Sequence, residues 1–153
     1  MSQPLDALDA AFFQRLQQHA TDPPPRALTV ADAPQHRLPD DAAIAALAAL
    51  GSLLPAAGTR SPTGPHGHRP YPPQLVAFFT AASDPAWSVQ AYDPPFVGRC
   101  LRSPGALEAS DLAGLCLMLT WMVRGERFCD GHWGAMLEQG HLQRWLARLA
   151  RLA

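Results

Sequence analysis

The sequence predicts an all-α protein: a compact bundle of about six or seven short helices around one buried central helix, joined by proline- and glycine-rich loops. Apolar residues recur at the three- and four-residue spacing of a helix face in most segments, and no segment has the alternation of a convincing β-strand. The 16 prolines and 11 glycines separate these segments. Because the chain has 153 residues, 48% of them hydrophobic, it can bury a core as one domain.

The chain is predicted to divide into an N-terminal helix with a proline-rich linker, residues 1–38, and a helical core domain, residues 39–153. The N-terminal helix is predicted over residues 4–19. Its apolar stripe consists of Leu5, Leu8, Phe12 and Leu16. Three consecutive prolines that begin at Pro23 cannot continue a helix. A helix tethered in this way either packs back on the core or docks on a partner, and both interpretations stay open.

Three helices are predicted in the first part of the core domain, over residues 41–54, 74–83 and 94–102. Asp40 and Asp93 precede the first and the third of them, where an aspartate side chain accepts hydrogen bonds from free backbone N–H groups. The proline- and glycine-rich stretch between the first two helices is predicted to be a loop. The weak alternation that follows Ala86 favours a short extended piece over residues 87–92.

The central helix is predicted over residues 111–124, with Ser110 as its N-cap. It is apolar nearly all the way round, which is typical of a helix buried in the middle of a domain. Leu115, Leu119 and Met122 are predicted core residues. The apolar stretch is shorter than the roughly 20 residues that a bilayer requires, so we expect no membrane span.

Two helices are predicted after the central one. Asp130 is expected to cap a short helix that ends at Gly140, and the last helix covers residues 142–152. The apolar stripe of the last helix consists of Leu142, Trp145, Leu146, Leu149 and Leu152. This stripe is expected to face the core, because it would otherwise leave a large exposed apolar patch. Arginines in another sector of the helix are therefore expected to point outward; they are Arg144, Arg148 and Arg151.

The C-terminal part contains R-G-E-R-F-C-D-G-H over residues 124–132, L-E-Q-G-H-L over residues 137–142, and R-L at residues 148–149. It resembles a family of small uncharacterised prokaryotic and phage proteins whose pattern is R-x-x-R-F-C-x-G-H, then L-x-x-G-H-[IL], then R-L. The similarity extends back to about residue 41. The resemblance implies an intracellular helical domain and brings no activity with it.

Cys129, His132 and His141 lie in this segment and offer two kinds of chemistry. A thiol near an imidazole can act as a nucleophile with its base, and all three side chains are of the type that binds zinc. A structural zinc site needs four ligands, and the sequence has no second cysteine or histidine pair at that spacing. We therefore expect no metal and no cofactor, with Cys129 a small buried residue between helices and each histidine in the first turn of a helix. His66 and His68, in the proline- and glycine-rich loop, are expected to be solvated.

Arg124 and Arg127 flank Glu126 at the end of the central helix. They are predicted to bond the last carbonyl groups of that helix and to bridge to Asp130 or Glu138. The alternative is a clamp for a phosphate or a carboxylate, which the planar guanidinium suits. The candidate partner-binding residues are therefore Arg144, Arg148, Arg151, Arg124 and Arg127.

The charge balance and the cysteines limit the classes of function. Twelve basic and 13 acidic residues give a net charge of −1, so no overall attraction to nucleic acid or to an anionic membrane is expected. The odd count of three cysteines fits a reducing cytoplasm. The N-terminal residues do not have the pattern of a signal peptide, so none is expected.

The leading hypothesis is a non-enzymatic helical interaction protein of a bacterium or phage that binds another macromolecule, in the first place a protein. One alternative is a small nucleic-acid-associated subunit, or an inhibitor, in a defence or counter-defence complex. The other alternative is a cryptic enzyme that uses Cys129 and His132.

Overall fold

The computed structural model describes residues 37–60, 70–90 and 93–153. These residues form seven helices, which make up 64% of the described chain, and no strand. In chain order the helices are α1 (Asp41–Gly51), α2 (Pro73–Ala82), α3 (Pro94–Arg102), α4 (Pro104–Glu108), α5 (Leu112–Gly125), α6 (His132–Glu138) and α7 (His141–Leu152). The predicted all-α fold is confirmed. The N-terminal helix predicted at 4–19, and the histidines at 66 and 68, lie outside the described residues.

The two aspartate caps predicted for α1 and α3 are confirmed. Asp40 accepts a hydrogen bond from the backbone N–H of Ala43 at 2.9 Å. Asp93 accepts one from Phe96 at the same distance, 2.9 Å. Each bond satisfies an N–H group that has no partner within its own helix. α1 ends at Gly51 rather than at residue 54, because the chain tightens there into bonds between residues three apart.

Two other caps differ from the sequence prediction. α5 is capped by Asp111, which accepts from the N–H of Gly114 at 2.9 Å, and not by Ser110. The Ser110 hydroxyl instead donates to the carbonyl of Ala106 at 3.0 Å. α6 begins after Gly131 and not after Asp130, because the chain enters α6 through a left-handed backbone conformation with φ of 88°.

Two segments between helices also differ from expectation. The helix predicted over residues 94–102 ends at Arg102, as expected, but Pro104 then begins a short helix, α4, that the sequence did not predict. Proline is tolerated in the first turn of a helix, where its missing N–H would have no partner. The prediction of an extended piece over residues 87–92 is wrong for residues 87–90, the part that the structure describes, because these residues form a turn and coil.

α5 is the centre of the molecule. Its buried residues are Ala113, Gly114, Leu115, Cys116, Leu117, Met118, Leu119, Thr120 and Met122. The side chains of Leu115, Leu119 and Met122 have no exposed surface, so the predicted core residues are confirmed. The helix contacts α2, α3, α6 and α7, which explains why it is apolar on nearly every side.

Trp145 joins α7 to the core. It is fully buried, and its indole N–H donates to the carbonyl of Leu115 at 2.9 Å, so its one polar group is satisfied. Phe78 and Trp87 pack edge-on against it, with ring centroids 6.3 and 5.9 Å away. Thr120 ties the segment after Trp87 to α5 by accepting from the N–H of Val89 at 3.1 Å.

The apolar stripe predicted for α7 is confirmed for its inner members. Leu142, Trp145 and Leu149 are fully buried. Leu146 is half-buried and lies over Gly51, where a Cβ would come within 2.4 Å of its Cδ2. Leu152 does not face the core as expected, because it lies in the last turn and is 39% exposed.

Candidate interaction loop

The segment between α5 and α6, residues 126–131, is named here the Phe128 loop. Its backbone is fixed by short-range hydrogen bonds. The N–H groups of Phe128 and Cys129 both donate to the carbonyl of Gly125, each at 3.0 Å. The N–H of His132 donates to the carbonyl of Cys129 at 3.1 Å. The chain therefore leaves α5, turns outward and enters α6 without a long connection.

Glu126 holds the base of the Phe128 loop. Its carboxylate accepts hydrogen bonds from the Tyr71 hydroxyl at 2.5 Å, from the N–H of Gly131 at 3.3 Å and from the N–H of Trp133 at 3.0 Å. The N-cap residue of α6 is Gly131, which has no side chain to cap the helix. Glu126 therefore supplies the cap from outside the helix. Burial and the neighbouring Glu126 carboxylate raise the pKa of Tyr71, so the phenol stays protonated and continues to donate.

Aromatic rings support the loop from below. Trp133 stacks on Phe79 with centroids 4.7 Å apart and planes 8° apart, and Tyr71 lies 5.7 Å away. On the other side the His132 ring packs edge-on against Trp121 at 4.7 Å. The His132 ring also lies directly against Gly125, where a Cβ would come within 2.3 Å of Nε2.

The fixed loop presents its middle residues to solvent. Phe128 is 87% exposed, more than the next large exposed apolar side chain of the described residues, Leu53 at 64%. Its neighbours Arg127, Cys129 and Asp130 are exposed as well. Burying a phenylalanine is worth roughly 1.5–3 kcal/mol, so its exposure forgoes a favourable contact within the chain.

Cys129 and His132 form no hydrogen bond to one another in the described chain, as a nucleophile and its base would. The expectation that Cys129 is buried is wrong, because the loop turns outward and exposes the thiol. Its Sγ is 4.0 Å from the carbonyl oxygen of Asp130. Nε2 of His132 is buried without a hydrogen-bond partner in the described chain. Burial lowers the pKa of His132, an effect that Glu126 partly offsets.

The other two cysteines and the second histidine have structural surroundings. Cys100 and Cys116 are buried. Burial raises the pKa of both thiols, for Cys116 to about 12 with a contribution from Asp111. His141 begins α7, as predicted. Within the ranges that the structure describes, no group of three histidine, cysteine or acidic residues is placed to hold a metal ion.

A family model described as a family of unknown function (DUF6508) matches residues 68–153. The chain belongs to the DUF6508 family. The matched region contains α2 to α7 with the whole Phe128 loop, and α1 precedes it. No curated protein and no solved structure matches the chain. Similarity to a family was expected from about residue 41, and the family model matches from residue 68. The similarity of residues 41–67 to the family stays a prediction.

Arg124, in the last turn of α5, and Arg127, in the Phe128 loop, do not form the predicted bridges to Asp130 or Glu138. Arg124 donates to the Ser88 hydroxyl at 3.3 Å. Glu138, one of the expected partners, pairs instead with Arg60 at 2.5 Å. Arg127 is exposed and forms no ion pair with any other described residue.

The three arginines of α7 do not all point outward as predicted. Nε of Arg148 donates to the carbonyl of Ser110 at 2.8 Å, and Arg144 bonds Nδ1 of His141 at 2.6 Å. Both side chains are half-buried, because each reaches a polar group near the helix surface. Arg151 is exposed in the last turn. Among the residues that the structure describes, Arg151 is thus the member of the predicted basic stripe that is exposed.

A small cleft opens beside the base of the loop. It has a volume of about 150 Å³ and is lined by Tyr71, Gly131, Leu137 and the Arg60–Glu138 ion pair, among others. A cavity of this size holds one apolar side chain, whereas sites for larger ligands run from about 300 to 1,000 Å³. No helix in the described ranges is both long and apolar enough to span a bilayer.

The sequence indicated the segment that forms this loop but not its most prominent residues. Phe128 had a detectable signal, since it is a large apolar residue in a short polar run between two glycines. Glu126 and Tyr71 had none, because they are 55 residues apart and only folding brings them together.

Proposed function

We propose that this chain is a non-enzymatic interaction protein that binds a partner protein through the Phe128 loop. The observation that carries the proposal is an 87% exposed phenylalanine on a backbone that is held in place. Because the loop is already ordered, binding costs little conformational entropy, and an aromatic side chain is a typical energetic centre of an interface. A bacterial or phage origin and a cytoplasmic location belong to the same proposal and rest on the sequence resemblance and the free cysteines.

The chemistry around Phe128 defines the partner. Arg127 and Asp130 are exposed on either side of it, so the partner offers an apolar pocket with a polar rim that contains both charges. Arg124, half-buried one helical turn before Arg127, adds to the positive side of the rim. Arg151 lies at the end of α7 and forms no part of this surface in the proposal.

Binding to nucleic acid is the alternative that the arrangement favours less. Two of the three arginines in α7, Arg144 and Arg148, already donate within the chain, and the net charge is −1. A phosphate backbone requires several free cations on one surface. The Cys129 thiol forms no hydrogen bond to the His132 imidazole within the described residues, which likewise gives little support to a cryptic enzyme.

The test is affinity capture from a bacterial host lysate with three full-length baits: wild type, Phe128→Ala and Leu53→Ala. Leu53 is the matched control, because it is also large, apolar and exposed but lies just after α1. We expect a protein that is retained by wild type and by Leu53→Ala, lost with Phe128→Ala, and insensitive to nuclease. Equal retention by all three baits, or release by nuclease, would contradict the proposal.

A further inference from the structure

A second surface feature lies away from the Phe128 loop, in a groove between α1 and the end of α2. The groove has a volume of about 440 Å³. Its principal lining residues are Ala43, Ala46, Leu47, Thr80, Ala81 and Trp87. Leu47 and Trp87 form its floor and are 1% and 3% exposed, and the alanines form its walls. The rest of the lining is Ser83, Asp84 and Ala86, so six of the nine lining residues are apolar and the groove is suited to the apolar face of an occupant.

The polypeptide enters the described structure beside this groove. The described chain begins at Arg37, Pro39 is buried against the core, and α1 begins at Asp41. Ala43 and Ala46 belong to the first two turns of α1, so they lie within about 9 Å of that entry along the helix axis. Whatever precedes Arg37 in the chain is therefore attached next to the groove.

We propose that residues 4–19 of the same chain occupy this groove as a helix. The sequence predicts an amphipathic helix there, and its stripe of large apolar residues needs a surface to cover. That stripe is Leu5, Leu8, Phe12 and Leu16. The small side chains of Ala43 and Ala46 let a second helix approach α1 closely, and its large side chains then reach the floor at Leu47 and Trp87.

The connection is long enough for this arrangement. Residues 20–36 join the predicted helix to the described chain and contain several prolines, which favour an extended backbone. At about 3.1 Å per residue they reach roughly 50 Å, several times the distance from the entry point to the groove. A tether of this kind holds its helix at an effective concentration in the millimolar range, so even a weak apolar contact stays occupied.

The experiment places a photo-crosslinker in the full-length protein, as Phe12→benzoylphenylalanine, and identifies the joined peptides by mass spectrometry. The matched control is Gln14→benzoylphenylalanine, which lies on the opposite face of the predicted helix. We expect crosslinks from position 12 to α1 or to residues 80–87 within a single chain, with a yield several-fold above that from position 14.

A second pair of variants tests the groove itself. Ala46→Glu places a carboxylate on the groove wall, whereas Ala49→Glu places one on an exposed part of α1 that does not line it. With position 12 labelled, we expect Ala46→Glu to lower the groove crosslink several-fold and Ala49→Glu to leave it unchanged, with circular dichroism confirming that both fold. Crosslinks that join two chains, that fall elsewhere or that fail to form would overturn the proposal.

Discussion

Gly125 is the single residue on which the packing beneath the Phe128 loop depends most directly. A Cβ at this position would come within 2.3 Å of Nε2 and 2.4 Å of Cδ2 of His132. The imidazole cannot move aside freely, because Trp121 packs against it at 4.7 Å. A glycine is therefore required here by close approach and not by its backbone conformation.

Gly125→Ala is expected to destabilise the protein by about 1–3 kcal/mol, because the extra methyl group overpacks a rigid contact. The matched control is Gly105→Ala in α4, where a Cβ would meet nothing within 4 Å. That change removes a glycine from a helix and is expected to be neutral or to stabilise by up to about 1 kcal/mol. Guanidinium unfolding of both variants measures the difference, and equal stability would contradict this account of Gly125.

Glu126 is the second residue on which the Phe128 loop depends, because its carboxylate accepts three hydrogen bonds. Glu126→Ala is expected to cost about 1–3 kcal/mol, because the Tyr71 hydroxyl and the Trp133 N–H lose their acceptor. Glu126→Gln keeps an acceptor oxygen and is expected to cost less. A double-mutant cycle with Tyr71→Phe measures the coupling, expected at about 0.5–3 kcal/mol. A coupling near zero would show that the hydroxyl bond contributes nothing to stability.

At the scale of the element, α5 and α7 show how a helix acquires its neighbours. α5 is surrounded by α2, α3, α6 and α7, so its surface is apolar on nearly every side. α7 has one buried stripe, and its polar side reaches across to other elements through Arg148 and Gln143, which bond the carbonyls of Ser110 and Pro55. The two helices differ in pattern because they differ in the number of sides that are covered.

Leu119→Ala in α5 is expected to cost about 2–5 kcal/mol, because it leaves a cavity at a position with no exposed surface. Val76→Ala in α2 is the control, since Val76 is 41% exposed and its truncation is expected to change stability by less than about half a kcal/mol. Chemical unfolding of both variants is the measurement. A loss below about 1 kcal/mol for Leu119→Ala would mean that α5 is not the centre of the core.

Arg148→Ala in α7 is expected to cost about 1–2 kcal/mol, because the Ser110 carbonyl loses its donor and the half-buried stem loses contacts. Arg151→Ala, in the exposed last turn, is expected to stay within about half a kcal/mol of wild type. Thermal unfolding at matched pH compares the two. If both variants show the same small effect, the bond from Arg148 to Ser110 does not contribute to stability, and Arg148 behaves as the solvated residue that the sequence predicted.

At the scale of the whole molecule, two histidines, the buried His141 and the half-buried His132, couple stability to pH. Arg144 donates to Nδ1 of His141 at 2.6 Å, so that nitrogen is unprotonated, and Nε2, 3.2 Å from Gln139, carries the proton. Burial lowers the pKa of His141, and the Arg144 charge lowers it further. Burial also lowers the pKa of His132. The fold therefore favours the neutral form of both side chains.

Stability is expected to fall as the pH drops below about 6.5, the ordinary histidine value. Below it the unfolded chain takes up protons that the folded chain binds less well. The stability that the two neutral histidines contribute is fully present above that pH. It is lost as the pH falls through their lowered pKa values in the folded protein. Unfolding at about pH 7.5 and about pH 5.5 measures the slope, which the double variant His132→Gln, His141→Gln should reduce. An unchanged slope in that variant would assign the pH dependence to other groups.

The sequence by itself determined the helical class, the position of the core helix and the caps at Asp40 and Asp93. These features follow from interactions between residues three or four apart, such as the bond from Ala43 to Asp40. A local sequence pattern is therefore enough to predict them. Only the tertiary structure decided that Cys129 is exposed, that Tyr71 donates to Glu126 and that Arg148 is held by Ser110. The last two depend on contacts between residues 55 and 38 positions apart, and no local pattern records which distant group a turn or a side chain will meet.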